Sequence, residues 1–341
     1  MIILGIETSC DDTSLCLLNG EGKILSHLSF SSSAFLNRWG GVVPEIAARD
    51  HAAKIPLLLE SVFSEAKLTI KDVNLIGVTT KPGLLGPLLT GINTAKTLSL
   101  IHKIPIYPVN HLHAHLEAIH LSSPTSYPYL GVLLSGGNSA FFLVESSLKF
   151  EILGTTIDDA AGEAFDKGGK LLNFAYPAGR IIDETAKKGD PFKYSFPIGL
   201  KNAKDENEFN FSYSGIKTAL KLIVSKYNNI NDIPDLPDIV ASYQHAIIEA
   251  VQIKLANVLE KKVPNKNIPI VVGGGVACNS YLRHKLNEKY QTQVKFVPPA
   301  LCMDNGAMIA FLALKNASHA VPYPQCLKID ALERYIQKTS L

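Results

Sequence analysis

The 341-residue sequence lacks several features that would assign it to a protein class at once. Its five cysteines are scattered, odd in number and without Cys-x-x-Cys spacing, which is typical of a reduced cytoplasmic protein. No stretch approaches the roughly 18 uninterrupted apolar residues of a membrane span, so we expect no membrane association. The formal charge is only +2, so nothing demands a nucleic-acid partner, although a local basic surface would be compatible with one.

The sequence does contain enough apolar residues, 46 %, to build packed cores, and its length is typical of two domains. The first residues, Met1–Glu7, carry no basic group before the apolar run and reach an acidic residue at once. We therefore interpret them as a first β-strand and not as a signal peptide.

The order of predicted elements indicates an internal duplication. Three predicted strands within the first 30 residues recur in layout at residues 130–150, at a constant offset of 126. Identity between the two stretches is slight, so a chance match is the alternative. Each half then continues with a strand, a loop, a helix and another strand. Matching halves predict an α/β fold of two lobes with a cleft between them, in which ligands bind at the strand ends.

These elements also predict the domain boundaries. We expect a first lobe at residues 1–118 and a second lobe at residues 119–306. A largely helical insertion at about 155–262 is expected within the second lobe. A C-terminal helix and tail, residues 307–341, should pack back on the first lobe.

Two further segments have a recognisable pattern. Residues 33–72 look helical, apart from an interruption around the single tryptophan, Trp39. The polar segment Lys201–Asn210 is predicted to be a mobile surface loop, because it is rich in charged and amide residues.

Residues 110–118 carry three of the ten histidines within five positions. Asn110 is a good helix N-cap, and on a helix His111 and His115 share one face while His113 turns away. Two imidazoles one turn apart commonly hold a transition metal together with a third ligand. The alternative is a pair of partly buried structural histidines. The glutamate of the His-Glu-x-x-His signature is missing, which argues against a zinc peptidase.

The candidate third ligand is Asp304. In the second half, the segment Met303–Gly306 comes after the last predicted strand, and in the first half the histidine segment comes after the corresponding strand. A carboxylate there would meet the histidines if the two halves face each other. The alternative is that Asp304 caps the helix that begins near Ala307.

Two glycine-rich loops could hold an anion. Ser135-Gly136-Gly137-Asn138-Ser139 lies between two predicted strands, where glycines let backbone N–H groups converge, although a plain hairpin turn is the alternative. Gly273-Gly274-Gly275 lies between a strand and a helix, whose N-terminus attracts negative groups. Asn279 could then hydrogen-bond a nucleoside or serve as an N-cap.

Nine motifs occur in order, and the stretch from the first to the last spans about 90 % of the chain. They are Glu7–Thr13, Gly40–Glu45, Pro82–Gly86, His111 with His115, Ser135–Gly137, Asp158–Lys167, Ser214–Thr218, Gly273–Asn279 and Asp304–Asn305. Together they resemble the tRNA adenosine threonylcarbamoyltransferase family, in its bacterial and mitochondrial branch. This family belongs to the acetate kinase/sugar kinase/Hsp70/actin superfamily. The resemblance implies a duplicated actin-like, ribonuclease H-like fold (ASKHA) with an interlobe cleft.

The resemblance also implies an activity and a site. The family's enzymes are acyltransferases that move a threonylcarbamoyl group from threonylcarbamoyl-AMP to N6 of adenosine 37 in tRNAs reading codons that start with A. It implies that His111, His115 and Asp304 bind one divalent metal ion per subunit, Fe²⁺ or Zn²⁺. Ser9 and Asp11 fall in the superfamily's first phosphate loop, and either Asp11 or the leaving phosphate would take the proton. Contacts to the adenylate are implied for Leu134, Ser135, Gly136, Gly137, Asn138, Asp166, Gly179, Asp183 and Asn279.

The implied partners are the tRNA anticodon loop, a catalytically inactive paralogue and a small ATPase. Near-neutral charge supports a need for companions, because a protein that grips tRNA alone usually has a stronger basic surface. The alternative function is a small-molecule kinase of the same superfamily.

The sequence departs from the family pattern at three positions. Asn138 replaces a histidine, so any acid–base role at that position is in doubt. Ala178 and Ala114 replace glycines, and these changes are mild only where the backbone φ is negative.

Overall fold

A computed structural model describes residues 1–32, 42–263 and 265–332. The predicted interruption at Trp39 and the end of the predicted C-terminal tail lie outside these residues. In the described ranges, no helix has both the length and the apolar character needed to cross a bilayer.

Ten β-strands occur in the described part of the chain and form two five-stranded sheets. The strands are β1 (Ile2–Glu7), β2 (Asp12–Asn19), β3 (Ile24–Ser31), β4 (Leu75–Lys81), β5 (Ile106–Asn110), β6 (Tyr129–Leu134), β7 (Ser139–Val144), β8 (Phe150–Thr155), β9 (Ile270–Gly273) and β10 (Val294–Phe296). The first sheet has the order β3-β2-β1-β4-β5 and the second has the order β8-β7-β6-β9-β10. The two orders are therefore the same topology.

Helices connect and cover these strands. They are α1 (Pro44–Ala66), α2 (Leu85–His102), α3 (His111–Glu117), α4 (Ala161–Leu171), α5 (Gly179–Ala186), α6 (Ser214–Val224), α7 (Leu236–Lys261), α8 (Ser280–Tyr290), α9 (Pro299–Cys302) and α10 (Gly306–Lys315). Short 3-10 turns extend several of them, including Ala118–Leu121 directly after α3. The central strands β1 and β6 are buried along almost their whole length, which explains their nearly continuous apolar sequences.

The predicted duplication is confirmed down to strand register. In the first sheet, β1 and β2 are antiparallel and Gly5 lies opposite Cys16. In the second sheet, β6 and β7 are antiparallel and Gly131 lies opposite Phe142, each 126 positions further on. The central strand of each sheet then pairs in parallel with the next strand, β1 with β4 and β6 with β9. The offset read from the sequence thus corresponds to equal pairing in both sheets.

The chain forms two compact units. Unit 1 contains residues 1–124 together with the C-terminal segment from Met303, and unit 2 contains Thr125–Cys302. Helix α10 packs against β1, β2 and β4 of unit 1. This contact requires glycine on the sheet, because a Cβ at Gly5 would lie 2.2 Å from the carbonyl oxygen of Gly306.

Unit 2 contains the segment that was predicted to be helical, and α4 to α7 make up most of it. Part of the polar segment Lys201–Asn210 is exposed, as predicted, but it is held in place. The ammonium of the buried residue Lys254 donates to the carbonyl oxygens of Leu200, Asn207 and Glu208 at 2.7, 3.2 and 2.8 Å. Because a buried charge needs such partners, these bonds tie the segment to α7.

Candidate functional site

The carboxyl ends of three neighbouring parallel strands meet at one edge of the first sheet. Glu7 ends β1, Thr79 lies near the end of β4, and His111 follows β5 directly. This edge is where α/β sheets collect ligand-binding side chains, because the chain turns into a loop or helix at each of these ends.

Helix α3 presents two imidazoles on one face, as its spacing predicts. Asn110 caps the helix, and its side-chain oxygen accepts a hydrogen bond from the backbone N–H of His113 at 3.1 Å. The Nε2 atoms of His111 and His115 lie 3.2 Å apart, with the two rings nearly perpendicular at 82°. Both side chains are buried, and both Nε2 atoms face the same point.

Asp304 brings a carboxylate to the same point. Its Oδ1 lies 3.0 Å from Nε2 of His115 and 3.5 Å from Nε2 of His111. The predicted three-residue group is therefore assembled within unit 1.

The segment around Asp304 is fixed by its neighbours. Asn305 is the cap of α10, and its side-chain oxygen accepts from the backbone N–H of Met308 at 2.9 Å. The backbone N–H of Gly306 donates to Ser14 Oγ at 2.8 Å. The capping role considered for Asp304 thus belongs to Asn305, and the Asp304 side chain is directed to the histidines instead.

The three donor atoms have spacings that fit a single metal ion. An ion about 2.0–2.2 Å from three ligands, at angles between about 90° and 109°, holds those ligands about 2.8–3.6 Å apart. The observed separations of 3.0, 3.2 and 3.5 Å lie inside that range. Two imidazoles with one carboxylate form a donor set typical of divalent transition metals. His111, His115 and Asp304 therefore form a candidate metal site.

Glu7 lies behind this group and contacts only one of the ligands. Its carboxylate is fully buried, and its Oε2 lies 3.1 Å from Nδ1 of His111. Ser9 Oγ lies 3.2 Å from the same nitrogen. Burial would raise the pKa of Glu7, but the charge and hydrogen bond of His111 outweigh it and hold that pKa below its usual value.

Two carboxylates, those of Glu7 and Asp304, face the imidazole of His111 and shift the pKa values within this group. Burial alone would lower the pKa of His111, but the charges of Glu7 and Asp304 raise it to about 9. Burial likewise opposes ionisation of Asp304, yet the charge of His111 and the hydrogen bond of His115 lower its pKa to about 2. A metal ion would therefore have to displace a proton from His111.

Two further carboxylates lie in the loop after β1. Burial, with the nearby negative charge of Asp304, raises the pKa of Asp11, although a hydrogen bond with Cys10 opposes this. Burial and the charge of Asp304 raise the pKa of Asp12 to about 7. Asp12 Oδ1 is buried without a hydrogen-bond partner in the described part of the chain. A carboxyl group with such a pKa can accept a proton near neutral pH.

In unit 2, the two glycine-rich loops lie side by side. Strands β6 and β9 are parallel neighbours, so their carboxyl ends carry the two loops at the same edge of the sheet. Gly274 has a φ of +86°, and a Cβ there would lie 2.4 Å from the carbonyl oxygen of Leu134. Only glycine allows this approach. The run Gly273–Gly275 does not lead directly into α8, because a 3-10 turn, Gly275–Cys278, lies between them.

The loop Ser135–Asn138 is a hairpin turn between β6 and β7. The backbone N–H of Asn138 donates to Ser135 Oγ at 3.1 Å and closes the turn. Gly136 and Gly137 are exposed, and no atom lies within 4 Å of the position of a Cβ on either. The turn is therefore a hairpin that also leaves its backbone open to a ligand.

Helix α4 connects this turn to the segment around Ala178. The backbone N–H of Gly162 donates to the carbonyl oxygen of Ser135 at 3.1 Å. One helical turn after Gly162, Asp166 Oδ1 accepts a hydrogen bond from the backbone N–H of Ala178 at 2.8 Å. Ala178 directly precedes α5, which begins at Gly179. Asp166 is thus engaged with the chain itself.

Asp183 and Asn279 both hold the start of α8, each through its own partners. The carboxylate of Asp183 accepts from the hydroxyl of Ser280 at 2.9 Å and from its backbone N–H at 3.0 Å. Asn279 caps α8 through Leu282 and donates its amide to Gln244 Oε1 at 2.7 Å. Next to these bonds lies a cavity of about 170 Å³, lined by Asp183, Ala186, Lys187, Gln244, Ser280, Tyr281 and His284.

Comparison with known proteins decides the family. Residues 23–311 match the family model TsaD, tRNA N6-adenosine threonylcarbamoyltransferase. The chain belongs to this family of transferases. It is 43 % identical over 320 residues to the tRNA N6-adenosine threonylcarbamoyltransferase of Thermosipho africanus, covering 92 % of this chain and 94 % of the relative. The enzyme of the same name from Thermotoga neapolitana is 40 % identical and covers 97 % of this chain and 98 % of its own.

A solved structure supports the fold assignment. The activator of 2-hydroxyisocaproyl-CoA dehydratase from Clostridium difficile, determined with bound ADPNP, has a TM-score of 0.55 to this chain. The match covers 93 % of this chain and 96 % of that one at 15 % identity, so it shows the fold alone. The predicted threonylcarbamoyltransferase family and its duplicated actin-like fold are both confirmed.

The two alanines that depart from the threonylcarbamoyltransferase pattern are free of backbone strain. Ala178 has a φ of −87°, and Ala114 lies within α3 and is not among the residues with positive φ. Both exchanges therefore meet the condition under which replacing glycine is mild. Asn138 uses its backbone to close the hairpin, and its side chain carries no titratable group.

Three residues of the site were not singled out by the sequence. Glu7 contacts His111, Asp12 has a raised pKa, and Gln244 holds the amide of Asn279. For Glu7, the signal in the sequence was an acidic residue at the end of an otherwise apolar strand. For Gln244, no local signal exists, because its partner lies on another helix.

Proposed function

We propose that this member of the family transfers the threonylcarbamoyl group from threonylcarbamoyl-AMP to N6 of adenosine 37 in tRNAs reading codons that begin with A. The N6 nitrogen bonds to the carbamoyl carbon, the bond from that carbon to the phosphate oxygen breaks, and AMP leaves. N6 gives up one proton. The donor is a mixed anhydride, so no phosphoryl transfer is needed. Family membership supports this reaction, and the convergence of three donor atoms at His111, His115 and Asp304 is the observation that carries it.

The metal would be one Fe²⁺ or Zn²⁺ per subunit, held by these three side chains. When bound, such an ion supplies Lewis-acid polarisation of a carbonyl group. The Nε2 atoms of His111 and His115 orient the site by facing one point from a single helix. Asp304 adds a negative charge, which favours a cation over a neutral ligand there.

The adenylate would contact the loop cluster of unit 2. The proposed contacts are Leu134, Ser135, Gly136, Gly137, Asn138, Asp166, Gly179, Asp183 and Asn279, with Ser9 in unit 1. The exposed turn at Gly136 and Gly137 supports this proposal, because its backbone can approach an anion without an intervening Cβ. Backbone donors of this kind would stabilise AMP as it leaves.

The proton of N6 requires an acceptor. Asp11, Asp12 or the leaving phosphate could take it. Burial raises the pKa of Asp11, and the pKa of Asp12 is raised to about 7, which favours proton uptake by Asp12 near neutral pH. Adenosine 37 is unpaired in the anticodon loop, so presenting its N6 amine requires little disruption of base pairing.

The proposed setting is the cytoplasm, in a complex with a catalytically inactive paralogue and a small ATPase. The formal charge of +2 supports a need for such companions. A protein that binds tRNA alone usually has a large excess of basic residues, and this sequence has only a small one. Turnover by the chain alone should therefore be poor and should rise when the companions are added. Full multi-turnover activity of the isolated chain would contradict this.

The reaction is tested by incubating the protein with threonylcarbamoyl-AMP and unmodified tRNA, followed by mass spectrometry of the nucleosides. His111→Ala removes a proposed metal ligand and should lower the transfer rate by at least about 100-fold, equivalent to about 3 kcal/mol. The matched control is His113→Gln, which alters a histidine of the same helix whose ring faces Glu117. This control should retain most of the activity.

Two outcomes would contradict the proposal. Undiminished transfer by metal-free His111→Ala protein would remove the metal from the reaction. Formation of ADP from Mg-ATP and a small acceptor, without transfer to tRNA, would favour a kinase of the same superfamily.

A further inference from the structure

We propose that Glu7 is a positioning residue for the metal ligand His111: it fixes the ring so that Nδ1 carries the proton and Nε2 binds the metal. This inference rests on the proposed function, because it takes His111, His115 and Asp304 as the metal site. It goes further by assigning a role to an acidic residue that does not touch the metal or the substrate.

The first argument is the direction of the His111 ring. Its Nδ1 lies 3.1 Å from Glu7 Oε2, and its Nε2 lies 3.2 Å from Nε2 of His115 and 3.5 Å from Asp304 Oδ1. A carboxylate only accepts hydrogen bonds, so the nitrogen facing Glu7 must be the donor. A neutral imidazole then has its lone pair on the other nitrogen, which faces the metal site. A hydrogen bond from a ligating histidine to a carboxylate is a known means of fixing tautomer and orientation.

The second argument is that Glu7 cannot turn away. Its Oε1 accepts from the backbone N–H of Ser9 at 2.6 Å, and its Oε2 accepts from Thr79 Oγ1 at 2.5 Å. These donors come from the loop after β1 and from the neighbouring strand β4, so the carboxylate is anchored to the sheet itself. A fully buried carboxylate is costly without such partners, and three of them hold this one in a single geometry.

The third argument is the asymmetry between the two histidines. Nδ1 of His115 is buried and has no hydrogen-bond partner in the described part of the chain. The His115 ring therefore contacts a carboxylate only through Nε2, where Asp304 Oδ1 lies at 3.0 Å, whereas the His111 ring has a carboxylate on its Nδ1 side as well. The loss of Glu7 should thus act on the site through His111.

A merely structural role for Glu7 makes a different prediction. If the buried carboxylate only stabilised the end of β1, its replacement would lower stability and leave the metal affinity of the folded protein unchanged. If Glu7 positions His111, metal affinity falls and the tautomer of one imidazole changes, even where the protein remains folded.

The experiment uses the full chain, freed of metal, and Zn²⁺ as a redox-inert probe. Zinc affinity is measured by competition with a chromophoric chelator, and the imidazole tautomers are read from ¹⁵N chemical shifts. Glu7→Gln keeps the shape of the side chain but removes its charge, and it should lower zinc affinity about 10- to 100-fold. The amide oxygen is a weaker acceptor than the carboxylate, so the Nδ1–H form of the His111 ring should be less populated in this variant.

Thr79→Val is the companion variant, because it keeps the charge of Glu7 and removes one of its three donors. It should lower zinc affinity by a smaller factor, about 3- to 10-fold, and it tests the inference by itself if Glu7→Gln does not fold. Thr80→Val is the matched control, because Thr80 is a buried threonine next to Thr79 on β4 whose hydroxyl donates to the carbonyl oxygen of Val109 at 3.3 Å. Its affinity should stay within about threefold of the unaltered protein.

The outcomes separate the inference from the function on which it rests. Unchanged zinc affinity and an unchanged His111 tautomer in Glu7→Gln, or unchanged affinity in Thr79→Val, would overturn the role of Glu7 while the metal site stood. If the unaltered chain bound no zinc, both the metal site and the role of Glu7 would fall. The tRNA assay would then still report separately on the transfer reaction.

Discussion

The close packing of helix α10 on Gly5 of the first sheet should control both the stability of unit 1 and its metal affinity. A Cβ at Gly5 would lie 2.2 Å from the carbonyl oxygen of Gly306 and 2.6 Å from the backbone nitrogen of Ala310. Carbon and oxygen atoms normally approach to about 3.2 Å, so Gly5→Ala must displace the first turn of α10 by about 1 Å. Asp304 lies directly before that turn.

Alanine substitutions at three glycines of unit 1 should lower the free energy of unfolding by different amounts, according to how close the added Cβ comes to its neighbours. Overpacking a core usually costs about 1–3 kcal/mol and occasionally more, so we expect about 3 kcal/mol or more for Gly5→Ala. Gly77→Ala should cost about 1–2 kcal/mol, because its Cβ would be 2.7 Å from a methyl group, the Cβ of Ala313. Gly20→Ala is the matched control: its nearest neighbour would be 3.5 Å away, and its cost should stay below about 0.5 kcal/mol.

The assay combines urea unfolding of the full chain with zinc titration of the folded variants. The free energy of unfolding should be highest for Gly20→Ala, lower for Gly77→Ala and lowest for Gly5→Ala. Gly5→Ala should also lower the zinc affinity, because Asp304 moves with α10. Equal stabilities of the Gly5 and Gly20 variants would refute the close packing. A destabilised Gly5 variant with unchanged zinc affinity would refute the coupling between this helix and the carboxylate.

Two further predictions follow from buried charges. Lys254→Met leaves three carbonyl oxygens without their donor, so we expect a loss of about 3 kcal/mol in unfolding free energy and faster limited proteolysis within residues 200–208. Glu260→Met, an exposed control on the same helix, should change neither. The pKa of Asp12 is raised from 3.8 to about 7, so the folded state binds this proton more tightly than the unfolded chain does. Its contribution to stability is present below about pH 4 and is lost as the pH rises through about 7. Asp12→Asn should remove this part of the pH dependence in unfolding measured from pH 4 to pH 8, and an unchanged profile would contradict the raised pKa.

Much of the fold follows from local sequence. Apolar runs such as Ile2–Ile6 predict buried strands, and the offset of 126 predicts equal register in both sheets because strand pairing depends on the alternation of side chains. The histidine pair was equally accessible, since a helical turn brings residues four positions apart together without any tertiary information. Asp304 required one more step, the analogy between the two halves.

The parts that could not be predicted depend on contacts between distant segments. Glu7 meets Thr79 and His111 only because β1, β4 and β5 are neighbours in the sheet. The segment 200–208 looks like a free loop in sequence, and its attachment depends on Lys254, which lies on α7. The pKa of Asp12 depends on burial and on the charge of Asp304, and neither can be read from the residues beside it.

The chain returns to unit 1 only at Met303, so the three residues of the candidate metal site are synthesised at different times. His115 is translated 189 residues before Asp304, and a ribosome that adds about 5–20 residues per second needs about 10–40 s to cover that interval. Until then the nascent polypeptide offers two imidazoles but not their carboxylate. Prematurely terminated products that end before Asp304 would carry the two imidazoles without the carboxylate, so the three donor atoms come together only after this residue has been added.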